Sequence, residues 1–412
     1  PPPCPLVVFE KLSPPFSLKK KSKTKKPRAK DISTRTMSSK DLDSTTLDVP
    51  STPMSLFDSP RTNQVFLYTK PGKRKSRKIG YAEVGDPNGI PVFCLPGQNG
   101  PRQVAVLFDL FARKAGIRLI WPERPGYGLS SNQRIHKNTI LEWADIVSQL
   151  ADSLGIAKFG LFGQSLGAAF AMGVATKIPS RILSPICLIS PWVSTTVSNT
   201  FGWTRYIPTC FTRAVLRSAF NVAILHERVR QVRKCRPITL PPLVEDEGSE
   251  ENIGTDSPPA EGDNQQQGGA KPHKKRRTRK FRTIFDPPGQ LELCQEMERR
   301  VLKENHVSGM VNDSIIALEK RYPFGFSYED VTLPVRVLWG DRDDLIPHRA
   351  VVWMQENILD CDLKVYEGSG HALLMRAGVI EDAFKHFIKA QKAPHRDSGL
   401  GLYATFDSHD SA

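Results

Sequence analysis

The chain has 412 residues, of which 39% are hydrophobic and 33 are proline, a balance that leaves part of it without the apolar content to build a core. Its formal charge is +15, but residues 1 to 80 hold 18 Lys and Arg against 6 Asp and Glu, so +12 of the excess sits there and +3 is left for residues 81 to 412. A nearly neutral remainder excludes reading the high isoelectric point as a nucleic-acid-binding domain, and no nucleic acid is expected for the folded core.

In chain order, residues 1 to 60 are rich in Pro, Ser, Thr and Lys, include LKKKSKTKKPRAK at 18–30 and show no apolar period, which predicts a disordered basic tail. Segments 64–69 and 78–84 alternate in polarity across a Gly-Lys-Arg-rich turn and predict a hairpin. Apolar runs at 90–95, 117–121, 158–162 and 185–190 predict strands, with helices over 104–114 and 139–154 between them. In the second helix Ile140, Trp143, Val147, Leu150 and Leu154 recur at spacings of three and four. Strands alternating with helices in this way predict an α/β fold: a mostly parallel sheet with helices on both faces.

That rhythm stops at Pro191 and resumes at Leu333. The interval 192–332 is expected to be an inserted helical cap that splits the core into 61–191 and 333–392. Its ends carry aromatic and helical patterns, to about residue 236 and again over 291–320, and a disordered loop is expected over about 240–288. Eight acids between 245 and 263 face eight bases between 271 and 282 in that loop. The run KPHKKRRTRK, from Lys271 to Lys280, admits a nuclear-import reading beside the plainer one of a solvated loop. The sheet pattern returns at 335–339, followed by a helix over 349–358, a strand over 363–366 and an amphipathic helix over about 372–391; residues 393–412 are polar and expected to be loose.

Seven cysteines form no C-x-x-C pair, and Cys94 and Cys187 lie inside apolar runs, which predicts reduced thiols in a cytoplasmic setting, acting as small core hydrophobes. No apolar run reaches the ~18 residues of a membrane span, so no transmembrane segment is expected.

The chemistry centres on Gly163-Gln164-Ser165-Leu166-Gly167, a G-x-S-x-G pentapeptide between a predicted strand and a small-residue helix. A turn this tight strains the serine backbone and needs glycine on both sides, and it holds the Ser165 hydroxyl at a helix N-terminus whose free N–H groups can meet an oxyanion. A serine hydroxyl is a poor nucleophile until an imidazole takes its proton and a carboxylate orients that imidazole. His371 follows the last predicted strand in Glu367-Gly368-Ser369-Gly370, and Asp341, Asp343 and Asp344 follow the strand before it. Both positions lie at the carboxyl edge of a parallel sheet, where catalytic groups collect. These residues leave the choice among the three aspartates open.

LPGQNGPR at 95–102, PERPGYGLSS at 122–131, GQSLG at 163–167, GDRDDLIP at 340–347 and EGSGHALL at 367–374 together resemble the α/β-hydrolase fold superfamily over about residues 63–190 and 333–391. The resemblance implies Asp343 as the acid, since the family pattern G-x-x-D-x-x-[VI]-P falls on Gly340, Asp343 and Pro347. It also implies an oxyanion hole from the backbone N–H groups of Gln98 and Leu166, and a cap over the site. Pro96-Gly97 stands where many members have His-Gly, which removes a side chain that commonly braces this loop. Ser165 argues against the dehalogenase and epoxide-hydrolase branches, which use a carboxylate nucleophile.

The expected function is therefore that of a serine hydrolase cleaving an ester or related acyl bond of a small-molecule substrate with an apolar part, through an acyl-enzyme on Ser165. No metal or organic cofactor is implied. Trp192, Trp203 and Phe211 are expected to contribute an apolar pocket wall. The alternatives are a catalytically silent interaction protein on the same fold, and an acyltransferase using the same three residues.

Overall fold

The computed structural model describes residues 53–234 and 281–392. Most of the basic tail, the acidic and basic runs of the loop and the C-terminal tail lie outside the described residues.

The first half of the core runs β1 (Gln64–Thr69), β2 (Ser76–Gly85), β3 (Ile90–Leu95), α1 (Asp109–Lys114), β4 (Ile117–Pro122), α2 (Thr139–Ser153), β5 (Phe159–Gln164), α3 (Gly167–Lys177) and β6 (Ile182–Ile189). The insertion then supplies α4 (Thr209–Lys234), α5 (Gln290–Lys303) and α6 (Val307–Ala317). The core closes with β7 (Val335–Gly340), α7 (His348–Asn357), β8 (Cys361–Tyr366) and α8 (Ala377–Lys392). The strands form one eight-stranded sheet in the order β1-β2-β4-β3-β5-β6-β7-β8. β2 is antiparallel to both neighbours, and every pairing from β4 to β8 is parallel.

Successive residues of a strand point to opposite faces, and the core is divided accordingly. Phe93 and Leu95 of β3 join a cluster with Trp143 of α2 and Phe170 of α3. Val92 and Cys94 join the other, with Phe108, Phe111, and Phe384 and Phe387 of α8. Burying each such aromatic stabilises the fold by about 1.5–3 kcal/mol, so both helix layers are needed to cover the sheet. Segment 104–114, expected as one helix, is a 3-10 turn over Arg102–Phe108 that passes into α1.

Two expected disordered boundaries are corrected. Residues 53–60, assigned to the tail, are folded: Leu56 and Phe57 are buried in the second cluster, with the Phe57 carbonyl accepting from Asn63 Nδ2 at 2.8 Å. Two adjacent large apolar side chains suffice to dock a segment that lacks any longer period. Residues 281–288, assigned to the loop, are also placed, because Ile284 is fully buried and its N–H donates to Met375 O at 2.9 Å. The Arg376 guanidinium lies 3.7 Å from the Phe281 ring centre.

Candidate active site

Ser165 directly follows β5, the sheet's fifth strand in space, at φ 49°. Left-handed backbone of this kind costs a non-glycine residue on the order of 1–3 kcal/mol, so its surroundings must hold it there. Its N–H donates to Ile189 O at 3.0 Å, and its carbonyl accepts from Ala168 N at 2.9 Å and Trp192 N at 3.0 Å. The flanking glycines are steric necessities. A Cβ on Gly167 would lie 1.9 Å from Leu95 O, and one on Gly163 would lie 2.9 Å from Ala168 Cα.

β7 and β8 are neighbours, so the loops beyond their ends meet beside the elbow. Gly340 permits this, since a Cβ there would fall 2.2 Å from Ser369 O. His371 Nε2 is 3.0 Å from Ser165 Oγ, and its Nδ1 is 3.0 Å and 3.1 Å from the two carboxylate oxygens of Asp343. Asp343 Oδ1 also accepts from the N–H groups of Leu345 at 3.0 Å and Ile346 at 2.8 Å, which fix the carboxylate. Ser165, Asp343 and His371 are 7%, 8% and 8% exposed, whereas Asp341 and Asp344 are exposed and neither is hydrogen-bonded to His371, although Asp344 lines the cavity over Ser165. Among the three aspartates, only Asp343 therefore faces the imidazole.

The loop after β3 carries Gln98, and its bracing takes an unexpected form. Arg124, almost fully buried, donates from Nη1 to Pro96 O at 2.5 Å and from Nη2 to Gly97 O at 2.7 Å. Its Nε and Nη2 bind the two oxygens of Asp313 in α6 at 2.9 Å and 2.6 Å. Tyr127 Oη donates to Asp313 at 2.7 Å and accepts from Asn99 N at 3.1 Å. Burial, with the Asp313 carboxylate beside it, pushes the Tyr127 phenol well above its ordinary range, so it stays a donor. Gln164 Oε1 accepts from Gly97 N at 2.9 Å, and Gln98 Nε2 reaches Met310 O at 2.9 Å and Ser314 Oγ at 2.5 Å. The side chain lost at Pro96 is thus replaced by Arg124, Gln164 and Tyr127. Among the described residues, neither the Gln98 nor the Leu166 N–H donates to a protein acceptor.

A cavity of about 460 Å³ lies over these groups, lined by Ser165, His371 and Gln98 and by apolar Val104, Trp121, Phe201, Leu345 and Leu374. Trp192 stands one layer back. It is buried, donates from Nε1 to Ala317 O at 2.9 Å and stacks on Phe201 with ring centres 6.4 Å apart. Trp203 and Phe211 do not line the cavity; they are 64% and 50% exposed, which corrects the expected pocket wall. Trp203 lies in a short 3-10 turn over Gly202–Tyr206 ahead of α4, and for Phe211 the physical reason lies in α4. Its Phe211, Val215, Val222, Leu225 and Val229 share one face that turns to solvent, while Leu216 on the other side packs on the core.

Phe201 belongs to the aromatic run of the insertion from which an apolar wall is expected, but it is not singled out by sequence, and Arg124, Gln164 and Asp313 have no role assigned by it. Arg124 lay within the quoted PERPGYGLSS segment, and Gln164 within the pentapeptide itself, so both were in view without an assigned partner. Asp313 carried no local signal, because its role exists only where α6 meets the loop. The cysteines inside strands are no rival nucleophiles: burial pushes the Cys187 thiol up to about 12 and Cys94 well above its ordinary value. No helix among the described residues is long and apolar enough to cross a membrane.

A curated relative, the dihydrolipoyllysine-residue acetyltransferase component of the acetoin cleaving system of Pseudomonas putida, is 32% identical over 108 residues, 26% of this chain and 29% of that protein's length. Among solved structures, a carboxylesterase from the thaumarchaeon Nitrososphaera gargenis aligns over 79% of this chain and 96% of its own at 16% identity and a TM-score of 0.46. A thermophilic esterase from Thermogutta terrifontis aligns over 79% and 98% at 15% identity and a TM-score of 0.47. The α/β hydrolase fold family model matches residues 90–377, which span both halves of the sheet and the insertion between them. An eight-stranded sheet of this topology and a match of that extent place the chain in one family: it belongs to the α/β-hydrolase fold family.

Proposed function

We propose that this protein is a serine hydrolase that cleaves an ester or related acyl bond through an acyl-enzyme on Ser165. The observation that carries the reading is the unbroken hydrogen-bond line from Ser165 Oγ to His371 Nε2 at 3.0 Å and from His371 Nδ1 to Asp343 at 3.0 Å. In this reading the Ser165 oxygen attacks the substrate's carbonyl carbon as its proton passes to His371 Nε2. Asp343 holds the tautomer and balances the imidazolium that forms. The carbonyl oxygen, now an anion, is met by the Gln98 and Leu166 N–H groups, preorganised by the bracing of the 96–99 loop. Collapse of the tetrahedral species breaks the acyl–oxygen bond, and the departing alcohol takes the proton from His371. Water then gives its proton to His371, attacks the acyl-enzyme and releases the acid.

The apolar lining by Val104, Trp121, Phe201 and Leu374 supports a substrate with an apolar part, and the insertion, through Phe201, acts as the cap that sets its size. A fluorophosphonate probe, with the modified residue located by peptide mass spectrometry, tests the nucleophile, and a panel of p-nitrophenyl esters of increasing chain length tests the substrate class. Labelling at Ser165 that is lost in Ser165→Ala, together with ester turnover, is the expected result. Absence of both in folded protein overturns the reading.

A further inference from the structure

The molecule has a second polar concavity, of about 400 Å³, between α4, α6 and the segment that precedes α2. Arg134, Arg213, Arg217 and Arg321 line it together with Ser308 and Asn312, and among the described residues no carboxylate does. It shares no lining residue with the cavity over Ser165. Arg213 is steered into place by a neutral group, its Nη1 donating to Asn312 Oδ1 at 3.1 Å. Asn312 is in turn fixed by its own amide, which donates to Asn132 Oδ1 and Gln133 O, both at 3.2 Å. Partial burial and the like charges of Arg217 and Arg321 make Arg213 a weaker base than an isolated arginine.

A protein surface ordinarily intersperses charges of both signs, and guanidiniums gathered round a concavity repel one another until an anion enters. One fork pairs with both oxygens of a carboxylate and balances its single charge. Several forks with a hydroxyl between them suit phosphate, with three free oxygens and close to two negative charges. The concavity has the volume of a small-molecule site and is walled by helices, so it takes a group that can enter a cleft. We propose that this cleft binds the phosphate group of a small phosphorylated molecule, held by Arg213, Arg217 and Arg321 with the Ser308 hydroxyl as a further donor.

Isothermal titration of inorganic phosphate into the full-length protein, at ionic strength held constant with chloride, tests this directly. Saturable binding is expected, weakened about tenfold by Arg217→Gln and about tenfold by Arg321→Gln, as when a charge-assisted hydrogen bond is lost. Arg205→Gln, an exposed arginine of the insertion outside the cleft, should bind as the unaltered protein does. Removing repelling charges should leave the unliganded Arg217→Gln/Arg321→Gln protein with a Tm at or above that of the unaltered chain, so lost binding is distinguishable from unfolding. Ser165→Ala should bind phosphate normally, which separates this outcome from the fate of the hydrolase reading. Acetate titrated in parallel should bind more weakly. Equal responses to phosphate and acetate, unaltered affinity in the double variant, or binding only to vesicles containing phosphatidic acid would each overturn the proposal.

Discussion

α3 and α4 are both rich in apolar residues, yet they end in opposite surroundings. In α3 every residue from Gly167 to Ala175 is buried, whereas α4 leaves Phe211, Val222 and Leu225 half exposed or more. α3 follows a strand in the middle of the sheet and is roofed by α2, while α4 leans chiefly on α6. Apolar content therefore decides whether a helix has something to bury; its place relative to the sheet decides whether it does. The chemistry follows the same division. Ser165 sits at the enclosed start of α3, and the exposed face of α4 contributes nothing to the cavity.

The comparison is sharpest at the elbow. Ser165→Ala and His371→Ala should each lower ester turnover by about 10⁴- to 10⁶-fold, with Asp343→Asn at about 10⁴ and Asp341→Asn near unaltered, because members of such a relay act as a unit. Steady-state kcat/KM on a short ester reads this, and an active Ser165→Ala would detach the chemistry from α3.

The next largest effect is expected where core and insertion join. Arg124→Met strands the buried Asp313 carboxylate and should destabilise the protein by about 3–5 kcal/mol in urea unfolding. Pairing it with Asp313→Leu should recover much of that loss, since neither charge is then left alone in the interior. A small effect of Arg124→Met alone would mean that α6 is not held to the loop through this pair.

His306, just before α6, offers a test by pH. Burial lowers its pKa to about 4, from an ordinary value near 6.5, and its Nδ1 accepts from Gly128 N at 3.2 Å. The folded state thus binds fewer protons than the unfolded one in this range. Its contribution is complete above about pH 6.5 and is lost as pH falls toward 4, by up to about 3 kcal/mol. Urea midpoints measured from pH 7 to 4 should fall more steeply for the unaltered protein than for His306→Gln.

Smaller still are the changes that compare cavity wall with exposed face. Phe201→Ala should shift the preference between short and long acyl chains by about tenfold, as one large apolar contact is lost. Trp203→Ser and Phe211→Ala should leave that preference unchanged and stability within about 0.5 kcal/mol. A shift on Phe211→Ala larger than on Phe201→Ala would show that α4 closes over the site during turnover.

The sequence by itself determined the alternation of strands and helices, the elbow at Ser165, the break in the strand pattern between Pro191 and Leu333 and the strand-end positions of Asp343 and His371. Each of these rests on local rules: side-chain periods of 2 and 3.6, glycine at tight turns, and polar loops at the carboxyl edge of parallel strands. The residues by themselves left Asp341, Asp343 and Asp344 open and the family resemblance pointed to Asp343; tertiary structure supplies the reason, since the meeting of the β7 and β8 loops sets Asp343 against the imidazole. Tertiary structure alone decided that Arg124 and Asp313, 189 positions apart, hold the loop that Pro96 leaves unbraced, and that Phe201 rather than Trp203 or Phe211 walls the cavity. Those facts depend on which faces of distant segments touch, and a one-dimensional pattern records which residues are able to be buried but not against what.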